Sequence, residues 1–202
     1  MLRQGFNTRW LTQAVSDGVD VSSAPKPVPE VRLVELGPVA MAELVAGNRD
    51  AASAAAGVEL PAFFASEECT WLWRLRLDQL ATAPEGTRWV ARAAVDRGTG
   101  VVVGHAGFHG PPDESGMVEM GYAVDPRHRG RGYARAMVRE LLRRAQHEPE
   151  VATLRATISP GNVASLATIA GLGFVLVGRQ VDEVDGLELV FERSVSDPCR
   201  SG

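Results

Sequence analysis

The stretch Tyr122-Ala-Val-Asp-Pro-Arg-His-Arg-Gly-Arg-Gly-Tyr-Ala134 joins the end of a predicted strand to the start of a predicted helix. Gly130 and Gly132 let the backbone approach a ligand without an intervening Cβ. The first amides of a helix lack an intrahelical partner and, with the helix dipole, attract an anion. Three arginines add positive charge to the same loop: Arg127, Arg129 and Arg131. The loop therefore predicts a site for a pyrophosphate group.

The same glycines and arginines are also compatible with a plain turn whose arginines face solvent. The stretch is not a dinucleotide-binding motif, which needs Gly-x-Gly-x-x-Gly within a parallel β-α-β unit. It also lacks the Gly-Lys-Ser/Thr of a Walker loop. Taken alone, the local pattern leaves a phosphate loop and a solvated turn as alternatives.

Composition and charge narrow the class of protein. The chain has 202 residues, of which 45% are hydrophobic and 23% charged, as expected of a globular domain with an ordinary core. A formal net charge of -4 argues against a nucleic-acid-binding protein, which usually carries a basic excess. No apolar run approaches the ~18 residues of a membrane helix, and the N-terminus lacks a secretory signal. We therefore expect a cytoplasmic protein that contacts neither nucleic acid nor membrane.

The cysteines and histidines indicate neither a disulfide framework nor a metal site. Cys69 and Cys199 are the two cysteines of the chain, and neither lies in a metal-ligand spacing. This usage fits a reducing cytoplasm. We expect no bound metal and interpret the four scattered histidines as core or surface residues: His105, His109, His128 and His147.

Segment composition predicts one folded domain with two tails. Residues 1–28 are predicted to be a leader or linker, partly disordered, because three alternating prolines in a Ser- and Pro-rich stretch favour an extended chain. The folded domain is expected over residues 29–195, and a polar tail over residues 196–202.

Hydrophobic periodicity predicts an α+β fold with a mixed, mainly antiparallel central sheet flanked by helices. The predicted strands are Val31–Glu35, Trp89–Val95, Val101–Phe108, Met117–Val124, Val151–Ile158, Phe174–Val181 and Leu187–Arg193. The predicted helices are Val39–Asn48, Glu67–Ala81, one that begins near Gly132, and a short one that Asn162 caps and Gly171 ends.

Three motifs, in the right order and spacing, resemble the GNAT superfamily of N-acyltransferases. Arg129-x-x-Gly132-x-Ala134 is similar to the family's phosphate loop, and Val124-Asp-Pro126 to its lead-in. Asn162-Val-Ala-Ser165, followed by Gly171-Leu-Gly-Phe174, resembles the family's downstream element. Glu119-Met-Gly-Tyr122 resembles the branch that acetylates N-terminal amines of ribosomal proteins. The likeness covers roughly residues 31–193 and is strong from about residue 88.

The resemblance implies acetyl-CoA as co-substrate and assigns residues to its parts. The phosphates would be held by the loop, namely Arg129, Gly130, Arg131, Gly132, Tyr133 and Ala134. The pantetheine arm would lie where the fourth and fifth strands splay apart at a β-bulge, against Tyr122, Ala123 and Val124. Asn162 would lie near the pantetheine or the acyl end, a role that is compatible with a helix N-cap.

The catalytic candidates are Glu119 and Ser165. Glu119 is the candidate general base. Strand parity places it on the same face as Gly121 and Ala123, whose small size leaves room beside the carboxylate for an acceptor or for a closely packed helix. The alternative is a Glu119 that pairs with an arginine or faces solvent. Ile169 stands where many members of the family carry a tyrosine that protonates the thiolate. Ser165 is then either a substitute donor or a first-turn helix residue.

The resemblance implies an enzyme in which a primary amine attacks the thioester directly. The acceptor would be a small molecule or a protein N-terminus, and a homodimer would be in keeping with the family. Two alternatives remain open from the residues. One is a transferase for a longer acyl group such as succinyl, and the other is a non-catalytic module that binds acyl-CoA or a partner.

Overall fold

The computed structural model describes residues 28–182 and 186–196, which contain seven strands and five α-helices. The strands are β1 (Val31–Glu35), β2 (Arg92–Asp96), β3 (Val102–Phe108), β4 (Met117–Val124), β5 (Thr153–Ile158), β6 (Val175–Asp182) and β7 (Gly186–Ser194). The helices are α1 (Pro38–Val45), α2 (Arg49–Ala56), α3 (Glu67–Thr82), α4 (Tyr133–Ala145) and α5 (Val163–Ile169). Within the same residues, short 3-10 helices occupy Ala62–Ala65, Pro84–Arg88 and Pro126–His128.

All seven strands form a single sheet in the order β1-β2-β3-β4-β5-β7-β6. The β4–β5 pair is parallel, and the other neighbours are antiparallel. Helices cover both faces. Met137 and Leu141 of α4 belong to one buried cluster, whereas Met41 of α1 and Trp73 of α3 belong to the other. The predicted α+β fold with a mixed, mainly antiparallel sheet is therefore confirmed.

Several helix ends follow from local chemistry. Pro38 occupies the first turn of α1, where its missing N–H costs nothing. The Ser66 side chain accepts a hydrogen bond from the Cys69 amide at 3.3 Å and so caps α3. The Asn162 side chain caps α5 in the same way, since it accepts from the Ser165 amide at 3.0 Å.

Two predictions of local structure are wrong. The strand predicted from Trp89 begins at Arg92, because Pro84–Arg88 forms a 3-10 helix and Trp89 terminates it. The helix predicted over Val39–Asn48 ends at Val45, and a second helix, α2, follows at once. The predicted leader falls almost wholly outside the described residues, and so do most of the polar tail and the Asp185 of the predicted β6–β7 turn.

The sheet opens between β4 and β5. Their parallel pairing runs from Met117↔Thr153 to Glu119↔Arg155, while β4 continues to pair with β3 as far as Val124. Beyond Glu119, β4 is therefore paired on one side only. In the described residues, register shifts fall in β2 and β6 rather than in β4. The gap between β4 and β5 is thus present without the bulge that the resemblance implied.

None of the five described helices has the length and apolar composition that crossing a lipid bilayer requires.

Candidate functional site

A cleft of about 300 Å³ lies where β4 and β5 part. Residues from both strands, from the β3–β4 hairpin and from α5 line it, among them His109, Tyr122, Thr157, Asn162 and Ser165. Three residues that the sequence analysis singled out separately, namely Tyr122, Asn162 and Ser165, are therefore brought together around one space.

The backbone of β4 offers alternate residues to this gap. The His109 amide donates to the Glu119 carbonyl at 2.8 Å, and the Asp125 amide donates to the Val103 carbonyl at 2.9 Å. Because backbone groups alternate sides along an antiparallel strand, residues 119, 121, 123 and 125 point toward β3. The amides and carbonyls of Tyr122 and Val124 therefore point toward the gap. The amide and carbonyl of Ala123 point toward β3 instead. Ala123 can therefore contribute only its methyl group to a ligand in the gap.

The loop after β4 is anchored by a buried aspartate. Asp125 is 1% exposed and accepts hydrogen bonds from the Arg127 amide at 3.0 Å and from the Arg127 guanidinium at 2.8 Å. The bonds from the Arg127 side chain hold the pKa of Asp125 below its usual value, against the opposing effect of burial. Arg127 thus fixes the start of the loop, so less of its charge is left for a ligand.

The two loop glycines have different surroundings. Gly130 and Gly132 have φ angles of +72° and +84°, a region that side chains rarely adopt. A Cβ on Gly130 would meet nothing within 4 Å, whereas one on Gly132 would lie 3.3 Å from the Pro29 ring. Gly130 therefore leaves open space above the loop. Gly132 allows Pro29, in the chain that precedes β1, to pack closely against the loop.

The first turn of α4 presents free amides. Gly132 is the N-cap residue and makes no side-chain cap, and its carbonyl accepts from the Ala136 amide at 3.1 Å. The amides of Tyr133, Ala134 and Arg135 precede that first helical bond, so they lack an intrahelical partner. Together with the open space at Gly130, they form a cradle in which an anion fits.

The side chains around this cradle have different partners. Arg129 donates from Nε to the Val124 carbonyl at 3.2 Å, so it bridges the loop to the strand. Arg131 is exposed. The Tyr133 hydroxyl donates to the Asp96 carboxylate at 2.9 Å and ties α4 to the end of β2. Tyr133 therefore offers the cradle its amide, because its side chain is already engaged.

Glu119 lies at the last paired position of β4 and β5. The Thr157 hydroxyl donates a short hydrogen bond to Glu119 Oε1, and His109 Nδ1 lies 3.5 Å from the same oxygen. In the described residues Glu119 forms no ion pair with an arginine, and its side chain is 23% exposed. The carboxylate thus contacts two residues that line the cleft, Thr157 and His109.

His109 is a residue of this site that sequence reasoning missed. Its Nε2 atom lies 2.8 Å from the point that a Cβ on Gly121 would occupy, so its imidazole fills the room that Gly121 leaves beside Glu119. Partial burial lowers the pKa of His109, Arg76 lowers it further, and the Glu119 carboxylate opposes both. The signal lay in the hairpin register, because the Phe108↔Met120 pair continues to His109 opposite Glu119.

The α5 side of the cleft lacks a phenol. Ile169 is 4% exposed and packs in the core, so the position where the family often has a tyrosine carries no proton donor. Ser165 lines the cleft, with its amide bonded to Asn162. The buried Tyr122 hydroxyl finds no hydrogen-bond partner within the described part of the chain.

Burial separates core from surface among the other histidine and tryptophan side chains. His105 packs among Phe63, Phe64 and Trp73, and this burial lowers its pKa to about 4. Trp73 is fully buried and belongs to the core, whereas Trp71 is exposed. Over residues 28–182 and 186–196, no three His, Cys, Asp or Glu side chains are placed to hold a metal ion.

Comparison with known proteins gives both a family and relatives. Residues 41–175 match the family model described as the acetyltransferase (GNAT) domain. A curated relative, the uncharacterized N-acetyltransferase YjdG of Bacillus subtilis, is 37% identical over 75 residues. That alignment covers 37% of this chain and 45% of YjdG, so it spans less than half of the relative.

Solved structures share the fold at low identity. A dodecameric spermidine N-acetyltransferase from Vibrio cholerae has a TM-score of 0.58 and 13% identity, covering 83% of this chain and 95% of the other. Ribosomal-protein-S5-alanine acetyltransferase from Vibrio fischeri has a TM-score of 0.56 and 20% identity, covering 87% and 97%. These neighbours establish the fold alone, whereas the family model covers well over half of the chain. The chain therefore belongs to the GNAT acetyltransferase family.

Proposed function

We propose that this chain transfers an acetyl group from acetyl-CoA to a primary amine. The observation that carries the proposal is the gap between β4 and β5, which leads along Tyr122 and Val124 into the free amides of α4. One end of this path suits an acyl group and an amine, and the other end suits a pyrophosphate. An open strand edge that leads to free helix amides supports a donor with an extended arm and phosphate groups.

The chain's own residues have distinct tasks in binding the donor. Gly130 leaves room for the phosphates, and the amides of Tyr133 and Ala134 donate to them. Arg129 and Arg131 add charge that attracts the anion. The backbone groups of Tyr122 and Val124 are oriented to pair with the amides of the pantetheine arm, and Asn162 borders the acyl end of the cleft. Ala123 contributes its methyl group.

The thioester supplies an activated acyl carbon, and the protein's task is to deliver a neutral amine to it. An α-amine has a pKa near 7.7–8.0 and a lysine amine one near 10.4, so at neutral pH far more of an α-amine is already neutral. A modest base in the cleft is then sufficient for an α-amine. Glu119 is the carboxylate that supports this role, because it contacts His109 and accepts a hydrogen bond from Thr157, and both of these residues line the cleft.

The leaving thiolate needs little help. A thiol has a pKa of about 8.5, so it departs without a strong acid. We assign Ser165 to this step as the hydrogen-bond donor to the departing sulfur, because it lines the cleft while Ile169 carries no polar hydrogen. The thiolate then takes its proton from solvent. Replacement of Ser165 by alanine is therefore expected to slow turnover only modestly.

According to their names, neighbours of the same fold act on spermidine and on an alanine of ribosomal protein S5. Both kinds of amine are reasonable acceptors to test.

The test supplies acetyl-CoA together with either spermidine or a tripeptide that has a free N-terminal alanine, and it measures release of the CoA thiol. Thiol release that depends on the acceptor supports the enzyme. Binding of acetyl-CoA without turnover on either amine supports the non-catalytic module instead, and faster turnover with succinyl-CoA supports the longer-chain transferase.

A further inference from the structure

We propose, as a refinement that rests on the proposed function, that His109 removes the proton from the acceptor amine and that Glu119 is its positioning residue. The two side chains form a dyad, with His109 Nδ1 3.5 Å from Glu119 Oε1. In a dyad of this kind the carboxylate holds one ring nitrogen protonated, so the other nitrogen keeps a lone pair.

The geometry leaves Nε2 as the atom that meets an amine. With Nδ1 turned toward Glu119, Nε2 lies over Gly121, 2.8 Å from where a Cβ would be. Gly121 and His109 both line the cleft between β4 and β5. Nearly half of the His109 side chain is exposed, compared with 23% for Glu119. The imidazole is therefore the more accessible of the two groups.

Glu119 is already engaged at the oxygen that faces His109. Oε1 accepts a hydrogen bond from the Thr157 hydroxyl and also faces His109 Nδ1. A carboxylate oxygen with two such neighbours is suited to orienting a ring rather than to collecting a proton. The 3.5 Å separation is long for a hydrogen bond, as is common for catalytic pairs before the substrate binds.

The backbone fixes the position of His109 from two directions. Its amide donates to the Glu119 carbonyl at 2.8 Å, and its carbonyl accepts from the buried Arg76 guanidinium at 3.0 Å. Arg76 also contributes charge, because it lowers the pKa of His109 while Glu119 raises it. Glu188 of β7 lines the cleft from the opposite side. The net shift is downward, so His109 is neutral near pH 7 and can accept a proton.

The proton and the electrons balance without a further reactant. The amine nitrogen forms a bond to the acyl carbon, and the carbon–sulfur bond breaks as the thiolate leaves. The proton that the nitrogen loses passes to His109 Nε2, and the imidazolium that results is stabilised by Glu119. Proton release to solvent then restores the neutral ring.

The test compares His109→Gln, Glu119→Gln and the control His147→Gln, whose side chain lies on the surface at the end of α4. Acetyl-CoA affinity is expected to stay within about threefold in all three, because the phosphate loop is untouched. With the alanine tripeptide or spermidine as acceptor, His109→Gln should lower kcat/KM about 10² to 10⁴-fold, as for loss of a general base. His147→Gln should leave it unchanged.

The pH profile separates the two roles. In Glu119→Gln the loss should be smaller, and the acidic limb of kcat/KM should move to lower pH, because the charge that raises the pKa of His109 is gone. The inference would be overturned if His109→Gln kept the wild-type kcat/KM while Glu119→Gln lost more of it. Glu119 would then be the base. Absence of acetyl-CoA binding would instead contradict the proposed function.

A second measurement needs no acceptor. Nitrogen-15 NMR of the imidazoles, assigned with His109→Gln, should show the neutral His109 ring protonated at Nδ1 with a free Nε2. Its titration midpoint should fall in Glu119→Gln. Protonation of the neutral ring at Nε2, or the same titration midpoint in the wild type and in Glu119→Gln, would contradict the dyad even if neither amine is a substrate.

Discussion

His109 Nε2 lies directly over Gly121, 2.8 Å from the position of a Cβ. A side chain at residue 121 would therefore clash with the His109 imidazole in its present position. The His109 imidazole can occupy its position only because Gly121 has no side chain. In that position the imidazole lines the cleft between β4 and β5.

Replacing Gly121 by alanine should displace the His109 ring. The new methyl group lies too close to Nε2, so the ring must rotate or shift by an ångström or so. Misplacement on that scale can cost roughly 10-fold to 100-fold in kcat/KM. Steady-state CoA release measures the loss. Gly110→Ala is the matched control, because a Cβ there meets nothing within 4 Å. Equal rates in both variants would show that the ring position is unimportant.

The two tyrosines of the chain should respond oppositely to loss of their hydroxyls. The Tyr122 hydroxyl is buried without a partner in the described structure, so Tyr122→Phe should raise the free energy of unfolding by about 1 kcal/mol. The Tyr133 hydroxyl donates to the Asp96 carboxylate at 2.9 Å, so Tyr133→Phe should lower it by about 1–2 kcal/mol. Urea unfolding measures both. A shift of the same sign in both variants would contradict these environments.

Stability should fall as the pH drops because of His105. Its pKa is about 4 in the folded chain, whereas an unfolded histidine has a pKa of about 6.5. Below pH 6.5 the unfolded chain binds the extra proton first, so the free energy of unfolding decreases until about pH 4. The full effect is about 3 kcal/mol. In His105→Phe, the new ring should pack among Phe63, Phe64 and Trp73. The free energy of unfolding should then depend less on pH. An unchanged slope would contradict a neutral, buried His105.

Local sequence patterns were sufficient for most of the sheet. Alternating hydrophobicity predicted β4 with its observed bounds, and the cap at Asn162 predicted the start of α5. Helix α2 was missed because its alanine-rich sequence buries only Ala52, so it carries no apolar stripe. The strand at Trp89 was predicted three residues too early because Trp89, Val90 and Ala91 are apolar and buried like strand residues, although they lie between the 3-10 helix and β2.

The site was harder to predict because it depends on pairs far apart in the chain. The hydrogen bond from Thr157 to Glu119 joins β5 to β4 across 38 residues, and that from Tyr133 to Asp96 joins residues 37 apart. No local pattern encodes either. The proposed phosphate loop could be picked out from the sequence because its glycines and the first residues of α4 are consecutive. His109 was recognisable only through the register of the β3–β4 hairpin.

Calorimetric titration with acetyl-CoA, using Gly130→Asp and Gly130→Asn beside the wild type, measures whether the loop before α4 binds the phosphates of the donor. Both residues tolerate the left-handed backbone of Gly130, where φ is +72° and a Cβ meets nothing within 4 Å, so the pair differs mainly in charge. If the loop binds pyrophosphate, the wild type binds acetyl-CoA, and Gly130→Asp binds at least about tenfold more weakly than Gly130→Asn because of repulsion between like charges. No binding by the folded wild type, or equal affinity in the two variants, would contradict a phosphate site in this loop.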